Sequence, residues 1–169
     1  EADIWGKIRS QNEILNARFL QSVAAHRAVK TQLVSAVAKT YYYLLALDAQ
    51  MDITRQTIET RKTSYETTQA LKDSGVGGIT STAVQQTEAQ YLNAQAILID
   101  LEKEARILEN TLSVLMGDEA HDIARNKLEN QEVITELKTG VPAQLLRNRP
   151  DVAIAEQNFR AAFESTNVA

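Results

Sequence analysis

The sequence predicts an all-α fold dominated by one long, coiled-coil-like antiparallel hairpin, and three observations predict it. Gly 6 and Pro 2 make only eight structure-breaking residues in 169, less than half of ordinary usage. No Pro or Gly interrupts the chain from Lys7 to Lys72. Apolar residues recur every seven positions on both sides of a short glycine-rich segment, a period that helices show and strands do not.

The first element follows from that uninterrupted run. Roughly 65 residues from about 7 to 72 would extend about 100 Å as a helix at 1.5 Å per residue. Val37, Leu44, Met51, Ile58 and Tyr65 are seven apart, flanked by Val34, Tyr41, Leu47 and Ile53. Ile8, Ile14, Leu15, Phe19, Val23 and Val29 follow the stripe less strictly. Residues 73–81 then hold three of the six glycines, so the helix stops there. Thr80 or Ser81 is suited to cap the next helix.

The second helix, about 82–116, carries the cleaner repeat. Val84, Tyr91, Leu98, Ala105 and Leu112 form one seam position, and Thr87, Ala94, Leu101, Leu108 and Leu115 the other. Gly117 is placed as its C-terminal stop. Residues 1–116 therefore read as a helical hairpin and 117–149 as an irregular crossing. Within the crossing, Asp118–Arg125 suits a short helix or loop, Glu132–Leu137 an extended stretch and Ala143–Asn148 a short helix. Pro150 opens a third, returning helix over 150–169, with Asp151 near its positive end. The second and third helices together nearly match the first in length. If the crossing lies across the axis, both termini fall at one end and the glycine tip at the other.

Composition and charge remove several function classes. The net charge of -4 is spread without a basic stripe, which gives nucleic-acid binding no support. Cysteine is absent, so neither a disulfide scaffold nor a thiolate metal site exists. The longest apolar stretch, Tyr41–Leu47, is far short of the roughly 18 residues of a membrane helix. A chain opening on Glu1 reads as a cut-out or processed piece, so a missing leader says nothing of location.

The chemically suggestive residues do not assemble a reactive centre. Gly75-Val76-Gly77-Gly78 lacks the Lys-Ser/Thr ending of a phosphate loop and follows no strand, so it reads as a hairpin turn. His26 and His121 have no second ligand at helical spacing. Glu102, Glu104, Glu109, Asp118 and Glu119 read as solvated or paired with Lys103 and Arg106, not as acid–base groups. No catalytic, metal or cofactor set emerges, and the chain reads as a non-enzyme. Tyr41-Tyr42-Tyr43 point about 100° apart on a helix, so at least one faces another helix or water. Ala, Thr and Gln at and beside the seam favour a second, flanking interface, as in a ring of hairpins.

Several segments, in order along nearly the whole chain, resemble the outer membrane factor family, the TolC-type exit ducts of bacterial efflux and secretion. Ile4-Trp5-Gly6-Lys7-Ile8-Arg9 resembles the family's "DLWGRLR" signature after a membrane strand. The Gly140–Val152 segment, with Arg147, Arg149, Pro150 and Asp151, resembles "G-(L/V)-P-x-x-L-L-x-R-R-P-D-(I/V)", and Ala155-Glu156-Gln157 its continuation. Leu108–Gly117 is similar to the "EN-x-L-x-x-L-x-G" end of a duct helix, and Asn167-Val168-Ala169 to the "IGVA" before the next strand. The Arg-Pro-Asp segment points to the lipoprotein, NodT-like branch.

The resemblance implies a periplasmic piece of one of two internal repeats, a fragment of an α-barrel whose outer membrane strands are absent here. It implies a homotrimer in the Gram-negative outer membrane, serving as the passive duct of a tripartite pump. Its partners would be a periplasmic adaptor (membrane fusion protein) and an inner-membrane pump of the resistance-nodulation-division type. Family tips gate and dock the adaptor, which assigns that role to Gly75, Val76, Gly77, Gly78, Ile79, Thr80, Ser81 and Thr82. Trp5, Gly6, Arg147, Arg149, Pro150 and Asp151 would be structural. Thr82-Ala83-Val84 stands where the family carries Leu-Asp-Val, so an Asp-based latch does not carry over to this repeat. The cargo stays open among drugs, metals and other exported compounds. The rival reading is a stand-alone coiled-coil scaffold or an adaptor's own hairpin. A scaffold has no need of Trp-Gly and Arg-Pro-Asp near its ends, and an adaptor hairpin would be flanked by Gly- and Val-rich lipoyl-like halves.

Overall fold

A computed structural model describes residues 3–75, 77–131, 146 and 148–168. The extended stretch expected over Glu132–Leu137 and most of the short helix expected over Ala143–Asn148 lie outside these. The helices are α1 (Lys7–Asp73), α2 (Ser81–Met116) and α3 (Pro150–Val168), with a 3-10 turn at Leu128–Asn130. Asp118–Arg125 is irregular rather than helical. The chain divides into two compact units, Ala36–Val133 and residues 1–35 with 134–169.

The unit Ala36–Val133 is the hairpin proper. Every seam position named on α2 is buried or half-buried, and so are Val37, Leu44, Met51, Ile58 and Tyr65 on α1. Leu44, Leu47, Met51, Leu101, Ala105 and Leu112 form the core, with Val37, Tyr41, Leu98, Leu108 and Ile123 against it. Nearer the tip, the rings of Tyr65 and Tyr91 stack across the seam with centroids 6.4 Å apart. Of the expected flanking residues, Tyr41 and Leu47 are covered, but Ile53 is 64% exposed. Ile53 sits two residues past Met51, about 200° around the helix from the seam. Val34, also exposed, belongs to the other unit.

Threonine is a modest helix former because its branched side chain loses freedom against the preceding turn. Here Thr40, Thr54, Thr57, Thr60, Thr63 and Thr68 each donate the hydroxyl to the carbonyl four residues back. These hydroxyls are satisfied within α1 and need no outside partner.

In the other unit, the buried positions of α1 are Ala17 and Ala24, again seven apart, while Leu15, Phe19, Val23 and Val29 are exposed. Of the weaker stripe expected here only Ile14 is half-buried; the rest of the inward face is made by alanines and neighbouring small or polar residues. Glu13, Asn16, Ala17 and Leu20 of α1 line a shallow groove with Gln157, Arg160, Phe163 and Glu164 of α3. Asp3 starts α1 by accepting the N–H groups of Ile8 and Arg9 at 3.2 and 3.0 Å, donors that a helix start otherwise leaves unpaired.

Both ends of α2 are capped as its sequence predicts. The Thr80 hydroxyl accepts the N–H of Ala83 at 3.3 Å. Gly117 adopts φ 80°, and the N–H groups of Gly117 and Asp118 return to Val114 and Ser113, a left-handed stop that glycine adopts at least cost. Thr80→Ala is expected to lower stability by about 1 kcal/mol, read as a lower urea midpoint, whereas Thr80→Ser should change it little.

Candidate functional site

The tip is a turn built by its glycines. Ser74 and Gly75 bond back to Ala70 and Lys72 and end α1. Gly75, Gly77 and Gly78 then take φ values of 70°, 80° and 64°, the left-handed region that a Cβ makes costly. Nothing lies within 4 Å of where a Cβ would stand at any of them, so the backbone conformation, and not crowding, selects glycine. Thr80, Ser81 and Thr82 are exposed and Ile79 is half-buried. Val76 lies outside the described residues. The tip thus presents backbone and short hydroxyl side chains, with no charged residue between Asp73 and Glu88.

The residues assigned a structural role fall in the unit 1–35 with 134–169. Trp5 is 91% exposed and Gly6 takes φ 73° just before α1. Arg147 lies outside the described residues. The Arg149 carbonyl accepts the N–H of Ala153, which leaves Pro150 at the first helical position, where its missing donor costs nothing. Arg149 forks onto Asp151 at 3.1 and 2.6 Å. The hydrogen bond from Arg149 is the main cause that holds the Asp151 carboxyl below its ordinary range, and Asp151 in turn raises the guanidinium. This pair braces the start of α3.

One cluster escaped the sequence reading. Arg125, from the irregular segment, bonds to both carboxylate oxygens of Asp48 on α1, at 2.9 Å from Nη2 and through Nε as well. Its Nη1 reaches Glu109 on α2 at 2.5 Å and the Ile123 carbonyl at 3.1 Å. The Glu109 side chain is only 9% exposed and that of Arg125 19%. The hydrogen bond to Asp48 is the largest cause that raises the Arg125 guanidinium above its ordinary value, against the opposing effect of burial. Arg106, one of the two cations expected near these carboxylates, is a weaker partner of Glu109 at 3.5 Å and sits closer to Asp122, at 2.6 Å. Glu104 accepts the Tyr43 hydroxyl at 2.8 Å, which raises the phenol above its ordinary value. A hint was available, because Glu109 lies four residues after Ala105 and three before Leu112, on the seam face. Its partner, 16 residues away, was not.

Among the described residues, no three His, Cys, Asp or Glu side chains are placed to hold a metal, and no helix is long and apolar enough to cross a membrane. The geometry of this unit defines a capped helical hairpin with an uncharged glycine tip. Residues 1–118 match the outer membrane efflux protein family, and the chain belongs to that family. It is 30% identical over 169 residues to the probable efflux pump outer membrane protein TtgC of Pseudomonas putida, covering 96% of this chain and 33% of that protein. To the outer membrane protein OprJ of Pseudomonas aeruginosa it is 30% identical over 166 residues, covering 95% and 34%. The crystal structure of a membrane protein from Pseudomonas aeruginosa superposes with a TM-score of 0.88 at 24% identity, over 99% of this chain and 39% of that one. The chain therefore spans about a third of the length of these curated relatives.

Proposed function

We propose that the chain is a tunnel-wall segment of an outer membrane efflux channel, the passive exit duct of a tripartite export pump. The observation that carries this reading is the family match over 1–118, which takes in α1, the glycine tip and α2. In the full-length protein the duct is a homotrimer of the lipoprotein branch in a Gram-negative outer membrane, with this segment in the periplasm. Exposed large apolar side chains, among them Leu15, Phe19, Ile99, Ile107, Phe159 and Phe163, support lateral packing of hairpins, since free surface of this kind is normally covered in an assembly. The energy comes from an inner-membrane pump of the resistance-nodulation-division type, and the tip docks a periplasmic adaptor and gates the duct. Gly75–Thr82 suit that contact because a partner can approach bare backbone closely there.

Gly77→Val combined with Gly78→Val in the full-length protein places β-branched residues at φ 80° and 64°, at a cost of about 1–2 kcal/mol each. Adaptor cross-linking and export are expected to fall at least tenfold with helical content unchanged, while Lys62→Ala should leave both intact. Normal cross-linking and export in the double valine variant would overturn the tip reading.

A further inference from the structure

Between residues 7 and 35, α1 carries two faces with heptad spacing, and only one of them is covered. Ser10, Ile14, Ala17, Gln21, Ala24 and Ala28 follow one another by steps of four and three, and all are buried or half-buried. This is the side on which Ala17 lines the groove with α3. Five residues on, about 140° round the helix, Leu15, Phe19, Ser22, His26, Val29 and Leu33 repeat the same steps, and all six are exposed. Steps of four and three are the seam of a helix that meets another helix. Here they set Leu15, Phe19, Val29 and Leu33 in water along a strip about 27 Å long, at 1.5 Å per residue.

The charges beside this second face are of one sign. No acidic residue occurs between Glu13 and Asp48, although the chain as a whole has a net charge of -4. Arg18 and Lys30 occupy positions that flank the exposed seam, one on each side, and Arg27 lies further round. None of the three is in an ion pair among the described residues, whereas Arg55, Arg106, Arg125, Arg149 and Arg160 all are. The middle of the seam is polar. The Ser22 hydroxyl donates to the Phe19 carbonyl at 2.8 Å, and the exposed His26 ring faces outward beside it. Polar residues at single seam positions fix register and partner at some cost in stability. A helix with acidic flanks answers all of these features. The same face of a second copy does not, because it brings cations and neutral residues to the flanks and gains no ion pair.

We propose that the exposed seam of α1 receives a helix with acidic flanking residues, and that Arg18 and Lys30 select that helix over another α1. Flanking charge discriminates between partners more than it adds affinity, so the four apolar residues supply the contact and the two cations decide who makes it. In the duct this partner is a helix of the adjoining hairpin. That placement rests on the function proposed above, whereas the acidic character of the partner rests on the face itself.

A photo-reactive residue in place of Val29, in the full-length protein in its own membrane, tests this. The cross-linked peptide, identified by mass spectrometry, should come from a helix of the same duct with Asp or Glu at its flanking positions. Arg18→Glu combined with Lys30→Glu should cut the cross-link yield at least about tenfold, since like charges then meet across the seam. Arg27→Glu, an equal change of charge away from the seam, should cut it less than about threefold. Arg18→Gln with Lys30→Gln should fall between, and it serves as the test if the reversed variant loses helical content. Cross-linking to α1 of a second copy, to lipid or to a helix without acidic flanks overturns the proposal, and so does no cross-link or a yield that survives charge reversal. A charge-sensitive cross-link to an acid-flanked helix of a different protein would leave the selection by Arg18 and Lys30 standing and remove this face from the duct wall.

Discussion

Arg125→Met is expected to destabilise the fold by about 3 kcal/mol, the lower end of the cost of stranding a buried charge when one partner is removed. Two carboxylates share this guanidinium, and they are not equally placed. The Asp48 side chain keeps 32% of its surface in water and can resolvate, whereas Glu109 keeps 9%. Arg106 offers Glu109 a contact of 3.5 Å from a side chain that is 65% exposed, too weak a replacement to hold a charge in that position. Most of the loss therefore comes from Glu109, and Glu109→Leu in the same chain should recover at least half of it, because an apolar side chain removes the unpaired charge. A double-mutant cycle by urea unfolding measures this. A loss below about 0.5 kcal/mol for Arg125→Met, or independent effects of the two changes, would show that the cluster is solvated and does not tie the two helices together.

How far the molecule could be read in advance depends on the distance over which the cause acts. The α2 seam, the Thr80 cap, the left-handed Gly117 and the first-turn Pro150 are all local, each set by residues within one or two turns. Heptad spacing carries the side chains to the seam whatever lies opposite, so all ten named positions on α2 are shielded. The start of α1 was less legible. There the apolar residues Leu15, Phe19 and Val23 point outward and Ala17 and Ala24 point in, because close approach to a neighbouring helix selects small residues and a hydropathy pattern rewards large ones.

The Arg125 cluster was illegible for a related reason. Asp48, Glu109 and Arg125 are separated by 61 and 16 residues, and each alone resembles a solvated charge. Nothing in the spacing of Asp118–Arg125 says that the segment doubles back along α2. That path is set by the Gly117 stop and by Ile123 finding the core, and the ion pairs follow from it.

The seam itself predicts a contrast between two apolar residues nine positions apart on α1. Leu44 has no exposed surface and lies in the cluster with Leu47, Met51, Leu101, Ala105 and Leu112. Leu44→Ala should cost about 2–5 kcal/mol, since the transfer loss is joined by a cavity that two long helices, joined at the tip and bridged by Arg125, collapse only in part. The better helix propensity of alanine offsets only a few tenths of a kcal/mol of this. Ile53, 64% exposed, should change the stability of the separated chain by no more than about 0.5 kcal/mol when replaced by Ala. In the duct proposed above the two residues should part company in a second way, because Leu44 packs within its own hairpin and Ile53 is exposed where a neighbour could meet it. Urea midpoints of the chain set beside the subunit-dissociation profile of the full-length protein separate the effects. Leu44→Ala should move the first, and Ile53→Ala should leave the first unchanged and move the second. A large midpoint shift for Ile53→Ala would place the seam on the wrong face of α1.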